Sequence, residues 1–221
     1  MENEKRSAAK AAQRGRILRN LSRMIDLLWL SIIFFVTCIP VVTIGPAVTA
    51  LYYTVVKVIR HERGKLAESY FSCFKSNFRQ GFVLGLVCLV LLAACLADSF
   101  LIRAMADQGS AAAPLAVLGL VFLTPLALLF PWLFSYLSRF SDATGTILKN
   151  AFLLSVGNFG TTLATLLVLA AGVILGVLFP VIIPILPGPI CFFMSRPLEK
   201  VFRKITSQRE IAHGTDDWYN E

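Results

Sequence analysis

Four stretches of this sequence lack any Lys, Arg, Asp, Glu or His: Leu27–Val56, Gln80–Ala97, Gln108–Ser138 and Asn150–Ser195. A water-soluble domain has no reason to keep runs of 30 or 46 residues so clean. A bilayer does, because a spanning helix needs about 20 apolar residues and a charge at the midplane costs roughly 2.5–3.5 kcal/mol on insertion scales. Histidine is scarce, with two in 221 residues. His61 stands beside Arg60 and His213 near the end, and both are expected to face solvent rather than to act as acids or bases. The sequence lacks a glycine-rich phosphate loop, an H-E-x-x-H helix and a G-x-S-x-G elbow, so no motif points to an enzyme. The five cysteines, Cys38, Cys73, Cys88, Cys95 and Cys191, form no C-x-x-C pair and no metal-ligand spacing. No metal and no cofactor is expected, and the thiols read as small apolar packing groups.

Apolar sequence and basic charge are what the chain has in excess. Hydrophobic residues make up 57%, the formal net charge is +8 and the mean hydropathy is +0.72. A basic balance can mean nucleic acid, but in a chain this apolar it is explained by positive charge retained on the cytoplasmic side and by anionic lipid headgroups. No nucleic-acid partner is expected, whereas membrane lipids are. Of the 21 Lys and Arg residues, all but Arg103 can be placed on one side of a membrane. The fold class that follows is all-α: a polytopic membrane helix bundle of about six transmembrane helices with two proline-broken hairpins. Both termini are expected in the cytoplasm and the protein in the cell membrane.

Residues 1–21 form a basic tail, either a helix on anionic lipid or a solvated segment. Residues 22–196 form one transmembrane domain and residues 197–221 a cytoplasmic tail. Within Leu27–Val56, Pro40 and Gly45-Pro46 interrupt the run, since proline removes a helix donor and disfavours helix in the residue before it. Spans are therefore expected near 22–41 and 46–61. Lys57, Arg60, Arg63, Lys65, Lys75 and Arg79 then return the chain to the side of its N-terminus. Two full spans and one re-entrant hairpin satisfy that charge pattern equally. Residues 62–79 carry Tyr70, Phe71, Phe74 and Phe78 at helical spacing, and Asn77. They are expected to lie along the headgroup boundary. Further spans are expected near 80–101, 114–137 and 158–179, with a loop at roughly 98–113, and a sixth, irregular span near 181–196, where Pro180, Pro184, Pro187, Gly188 and Pro189 break the last apolar run.

Phe71-x5-Asn77-Phe78 precedes the third span and Phe152-x5-Asn158-Phe159 the fifth, an echo that suggests a parallel repeat of about three helices. Gly81-x3-Gly85 and Gly172-x3-Gly176 fit close helix packing inside the bundle. Asp142, near Arg139 and Lys149, reads as a local ion pair or helix cap. The most polar intramembrane cluster is Thr43, Gly45, Pro46, Thr49, Tyr52 and Tyr53, with Thr54 beside it. Its hydroxyls and the carbonyls freed by the proline break can line a small-solute site, or can satisfy the broken helix's own backbone. The apolar runs offer no ionisable group near midplane, which speaks against a proton- or sodium-coupled carrier.

The stretch Pro40-Val41-Val42-Thr43-Ile44-Gly45-Pro46-Ala47-Val48-Thr49-Ala50-Leu51-Tyr52-Tyr53 resembles the signature of the YesL-like family of small bacterial membrane proteins, a domain of unknown function. Phe71-Ser72-Cys73-Phe74-Lys75-Ser76-Asn77-Phe78 and Lys149-Asn150-Ala151-Phe152 also look like that family. The resemblance covers about residues 20–205 and is most specific at 40–78. Most relatives carry a small residue where Pro46 stands, so the turn here is expected to differ. Members are often encoded near carbohydrate ABC transport components. The resemblance therefore implies a non-catalytic accessory or regulatory role in sugar uptake, with a transporter permease or membrane sensor as partner. The alternative is a small stand-alone solute or lipid carrier using the Thr/Tyr-lined hairpin.

Overall fold

The computed structural model describes residues 2–104, 112–140 and 142–213, and among them every regular element is helical. Eight α-helices follow in order: α1 Glu2–Thr37, α2 Ile44–Thr54, α3 Leu66–Ser76, α4 Phe78–Ala104, α5 Ala112–Leu137, α6 Thr144–Gly157, α7 Phe159–Leu178 and α8 Pro187–His213. Four helical stretches are long and apolar enough to cross a membrane: Arg19–Thr37, Val41–Arg60, Phe78–Phe100 and Phe159–Leu178. Their outward faces stay apolar. Trp29, Phe35, Val90, Leu96, Leu167 and Val177 are all exposed, as lipid contact requires.

Pro40 ends the first helix at the expected place. Residues 38–40 turn, Val41–Thr43 form one turn of 3-10 helix, and α2 begins at Ile44. Gly45 and Pro46 fall inside the first turn of α2 rather than in the break, because a proline there gives up only an N–H that lacks a helical acceptor anyway. The helix then widens into a π-helical stretch, Val55–Arg60, closed by a bond from His61 N–H to Val56 O at 3.2 Å. Two residues of positive φ, Glu62 (55°) and Gly64 (82°), turn the chain into α3. Glu62 is held there by Arg23, whose guanidinium donates to its carboxylate at 2.7 Å.

The tip of the hairpin packs on the start of α4. There the two backbones touch: a Cβ built on Gly85 would lie 2.9 Å from Gly45 Cα, and one on Gly81 2.9 Å from Pro46 Cα. Only glycine lets two helix backbones approach so closely. The amphipathic stretch expected at the headgroup boundary forms α3. It packs on α2, Tyr70 is fully buried, and its hydroxyl meets that of Thr37 at 2.6 Å. At 11 residues, or about 16 Å at about 1.5 Å per residue, α3 cannot cross the bilayer by itself.

The stretch expected as an irregular span near 181–196 opens as a turn, with a 3-10 turn at Pro180–Ile182, and α8 starts at Pro187. That helix runs straight through Pro197, so the cytoplasmic tail expected from 197 is instead packed: Leu198 and Phe202 are fully buried. At the other end α1 begins at Glu2 and includes the basic segment expected as a tail. Of the loop expected at roughly 98–113, residues 105–111 lie outside the described residues, as do 214–221 of the tail.

The echo in the sequence has a structural counterpart. At both corners, α3 to α4 and α6 to α7, one asparagine joins a short helix to a long apolar one. Asn77 Nδ2 donates to Cys73 O at 3.2 Å, and Asn158 Nδ2 donates to Leu154 O at 3.3 Å. Each asparagine carbonyl then accepts from the residue four further on, Gly81 N–H at 2.8 Å and Thr162 N–H at 3.0 Å. The run of a short helix, one asparagine and a long apolar helix therefore occurs twice, as α3–α4 and as α6–α7.

Candidate functional site

The polar centre of the molecule is Glu199, 3% exposed and one turn into the buried part of α8. Its Oε1 accepts from the Tyr52 hydroxyl at 2.8 Å, and its Oε2 pairs with the Arg139 guanidinium. The side chains of Arg139 and Glu199 are 2% and 4% exposed, so water does not screen this pair. Chain geometry explains the meeting. After α5 ends at Leu137, Ser138 Oγ donates to Ser135 O, Arg139 N–H to Tyr136 O, and the arginine side chain reaches under α8. There its guanidinium lies 5.4 Å from the centre of the Phe202 ring, which also meets Trp132 edge-on at 5.7 Å. A second polar chain runs beside it: Asn150 Nδ2 donates to Tyr136 Oη at 2.8 Å, and Tyr136 donates to Asp142 at 2.6 Å. Gln80, at the foot of α4, donates to the backbone oxygen of Asp142 at 3.1 Å.

An apolar cavity of about 230 Å³ adjoins Tyr52. Its walls come from five helices: Phe34 of α1, Leu51 and Tyr52 of α2, Phe134 of α5, Leu169 of α7 and Met194 of α8. A closed apolar cavity of ~150 Å³ takes up benzene, so this one has room for a small ring or a short alkyl tail. The lining offers an occupant almost no hydrogen bonds, which suits hydrocarbon and not a sugar.

Of the hairpin residues singled out in the sequence, Tyr52 alone lines this cavity. Thr43 Oγ1 sits 2.5 Å from Thr37 O and 2.6 Å from Pro40 O, closing the turn. Thr49 donates to Gly45 O at 3.0 Å and Thr54 to Ala50 O at 2.8 Å, each four residues back in its own helix. Gly45 and Pro46 are spent on contact with α4. Tyr53 accepts from Lys57 Nζ at 2.9 Å, with that ammonium also 5.1 Å from the ring centre. The threonine hydroxyls thus serve the backbone. Phe71, Phe74 and Phe78 belong to an aromatic ladder: Tyr70 stacks on Phe74 at 6.2 Å, and Phe74 meets Phe78 edge-on at 5.6 Å. Phe71 and Phe78 are exposed, and Asn77 makes the corner already described.

Sequence reasoning passed over Arg139 and Glu199 because both fall outside the uncharged runs. A signal was present. Leu198, Phe202 and Ile205 continue a helical apolar stripe past Pro197, and Glu199 lies next to it. Asp142, expected as an ion pair or cap, accepts from the Tyr136 hydroxyl. Among the described residues no three His, Cys, Asp or Glu side chains come together as metal ligands do. Cys73 is buried in α3, and desolvation pushes its thiol up to about 12.

A family model described as "Protein of unknown function, DUF624" matches residues 24–99, from the first helix through the hairpin and α3 into α4. No curated protein and no solved structure matches the chain.

Proposed function

We propose that this chain is a non-enzymatic, multi-pass protein of the cell membrane, with both termini in the cytoplasm, that acts as an accessory or regulatory component of carbohydrate (ABC-type) uptake. Its partner is a transporter permease or a membrane sensor. The observation that carries the non-enzymatic reading is how the most buried carboxylate is used. Glu199 spends one oxygen on Tyr52 and the other on Arg139. It fastens α2, α8 and the segment after α5 together, a structural duty and not that of a general acid or an ion-coupling carboxylate. The uptake role rests on the YesL-like resemblance at 40–78, which lies within the matched stretch 24–99. Cross-linking in native membranes followed by purification in mild detergent tests it. Recovery of a permease or sensor at near-equal amounts is expected, and its repeated absence overturns the proposal.

The cavity favours a second reading, a small carrier or receptor for an amphiphilic or lipid solute. Its site is then the pocket at Tyr52 rather than the threonines of the hairpin. Flux of an alkyl-tailed probe through reconstituted vesicles, lost on Leu51→Trp filling of the cavity, would establish it; no flux in the wild-type protein removes it.

A further inference from the structure

A second pocket, of about 310 Å³, opens where α1, the π-helical stretch and α8 come together. Its chemistry is opposite to that of the first. Arg23, Arg60, Arg196 and Arg203 line it together with His61 and Phe192. Three separate parts of the chain contribute these groups, so the cluster is made by the fold and not by a run of basic sequence. No acidic side chain lines it. Two acids next to its lining residues in the chain or the helix are already engaged: Glu62 accepts from Arg23, and Glu199 is held by Arg139 and Tyr52.

The arginines are arranged as donors awaiting an acceptor. Arg60 and Arg196 lie against the same ring, 5.5 Å and 5.4 Å from the centre of Phe192, and the two like charges repel each other. Arg60 has one long bond, to Phe192 O at 3.5 Å, and its Nε, like that of Arg23, is buried without a hydrogen-bond partner. Arg196 and Arg203 are exposed and have no ion pair among the described residues. A planar guanidinium matches the oxygens of a phosphate two at a time, and an aromatic ring holds the fork in place. Arg23 and Arg60 also stand at the ends of the apolar stretches Arg19–Thr37 and Val41–Arg60, the level at which a bilayer presents its headgroups.

We infer that this pocket is a phosphate-binding site, built by Arg60, Arg196 and Arg203 with Arg23 at its edge, for a phosphate monoester or diester carried by an anionic lipid or a soluble molecule. Phe192 fixes the forks of Arg60 and Arg196, and the bound anion relieves their mutual repulsion. The site is independent of the partner proposed above, and its test needs no partner.

The full chain, purified in a nonionic detergent, is examined by native mass spectrometry with phosphatidylglycerol or phosphatidylcholine added. Inorganic phosphate is titrated in parallel by thermal shift. One phosphatidylglycerol retained per chain, in preference to phosphatidylcholine, identifies a lipid headgroup. Saturable stabilisation by inorganic phosphate without a lipid preference identifies a soluble ligand. The pair Arg196→Gln/Arg203→Gln, both at exposed positions, is expected to weaken the binding about ten- to a hundredfold, the loss of a charge-assisted hydrogen bond or two. Lys65→Gln/Lys200→Gln removes the same charge elsewhere and is expected to leave binding within about twofold. Arg60→Lys keeps the charge but not the fork and should weaken binding while the protein stays monodisperse. The proposal is overturned if neither probe saturates, or if the lysine pair loses as much as the arginine pair. Unchanged binding in Arg60→Lys overturns the role given to that guanidinium.

Discussion

Replacing Arg139 by Met would leave the Glu199 carboxylate without its counter-charge in a site from which water is excluded. Both side chains of the pair are less than 5% exposed, so the loss falls in the range for breaking a buried ion pair, about 3–5 kcal/mol. Tyr52→Phe removes a hydrogen bond to the same carboxylate but leaves its counter-charge, and should cost about 1.5–3 kcal/mol. The double variant Arg139→Met/Glu199→Leu removes both charges. It is expected to recover part of the loss, because two well-packed apolar residues can replace a buried pair at little net cost while the Tyr52 hydroxyl is left without its acceptor. The readout is unfolding followed with a thiol-reactive fluorophore, since the five cysteines are free and three of them, Cys73, Cys95 and Cys191, are buried. A double variant as unstable as Arg139→Met alone, or an Arg139→Met loss below about 1 kcal/mol, the level of a surface pair, would refute the reasoning.

Gly85→Ala should cost about 1–3 kcal/mol, because the new methyl meets the Gly45 backbone at 2.9 Å and backbone cannot move aside. Gly157→Ala, with nothing within 4 Å, should be neutral or stabilising in the same unfolding assay. Cys73, buried and with its thiol pushed up to about 12, should resist maleimide at neutral pH in folded protein and react only on unfolding, as peptide mapping would show. Burial, and then the charge of Arg203, lower the His61 pKa below its usual 6.5. The unfolded chain therefore binds a proton first as pH falls. Stability should be full above pH 6.5 and decline as pH falls from there through the lowered folded value, a dependence that His61→Gln removes.

Bilayer physics made much of the architecture readable in advance. Clean apolar runs announced helices, Pro40 marked the end of α1, and Asn77-Phe78 and Asn158-Phe159 marked two corners that share one hydrogen-bond pattern. Gly81-x3-Gly85 was legible as close packing, but its partner was not. That Gly45 and Pro46 fill the groove is a tertiary fact. Charge sorting could not detect this, because a hairpin returns to its starting side whatever its tip packs on. Tyr52 was picked out as polar and intramembrane, yet its partner Glu199 lies 147 positions away in a segment that composition assigns to water. The arginine pocket was hidden for the same reason: four basic residues in three parts of the chain look like ordinary cytoplasmic charge until the fold brings them together.

The two asparagine corners carry a consequence for how the chain is made. Each corner is satisfied within about ten residues, the amide closing the helix behind and the carbonyl opening the helix ahead. Neither needs a distant segment to exist. A ribosome delivering this polypeptide can thus release α2–α3–α4 into the membrane with its elbow already bent, then repeat the operation with α5–α6–α7. The long-range bonds from Tyr52 and Arg139 to Glu199 form last, when α8 arrives and clasps two units that were set beforehand.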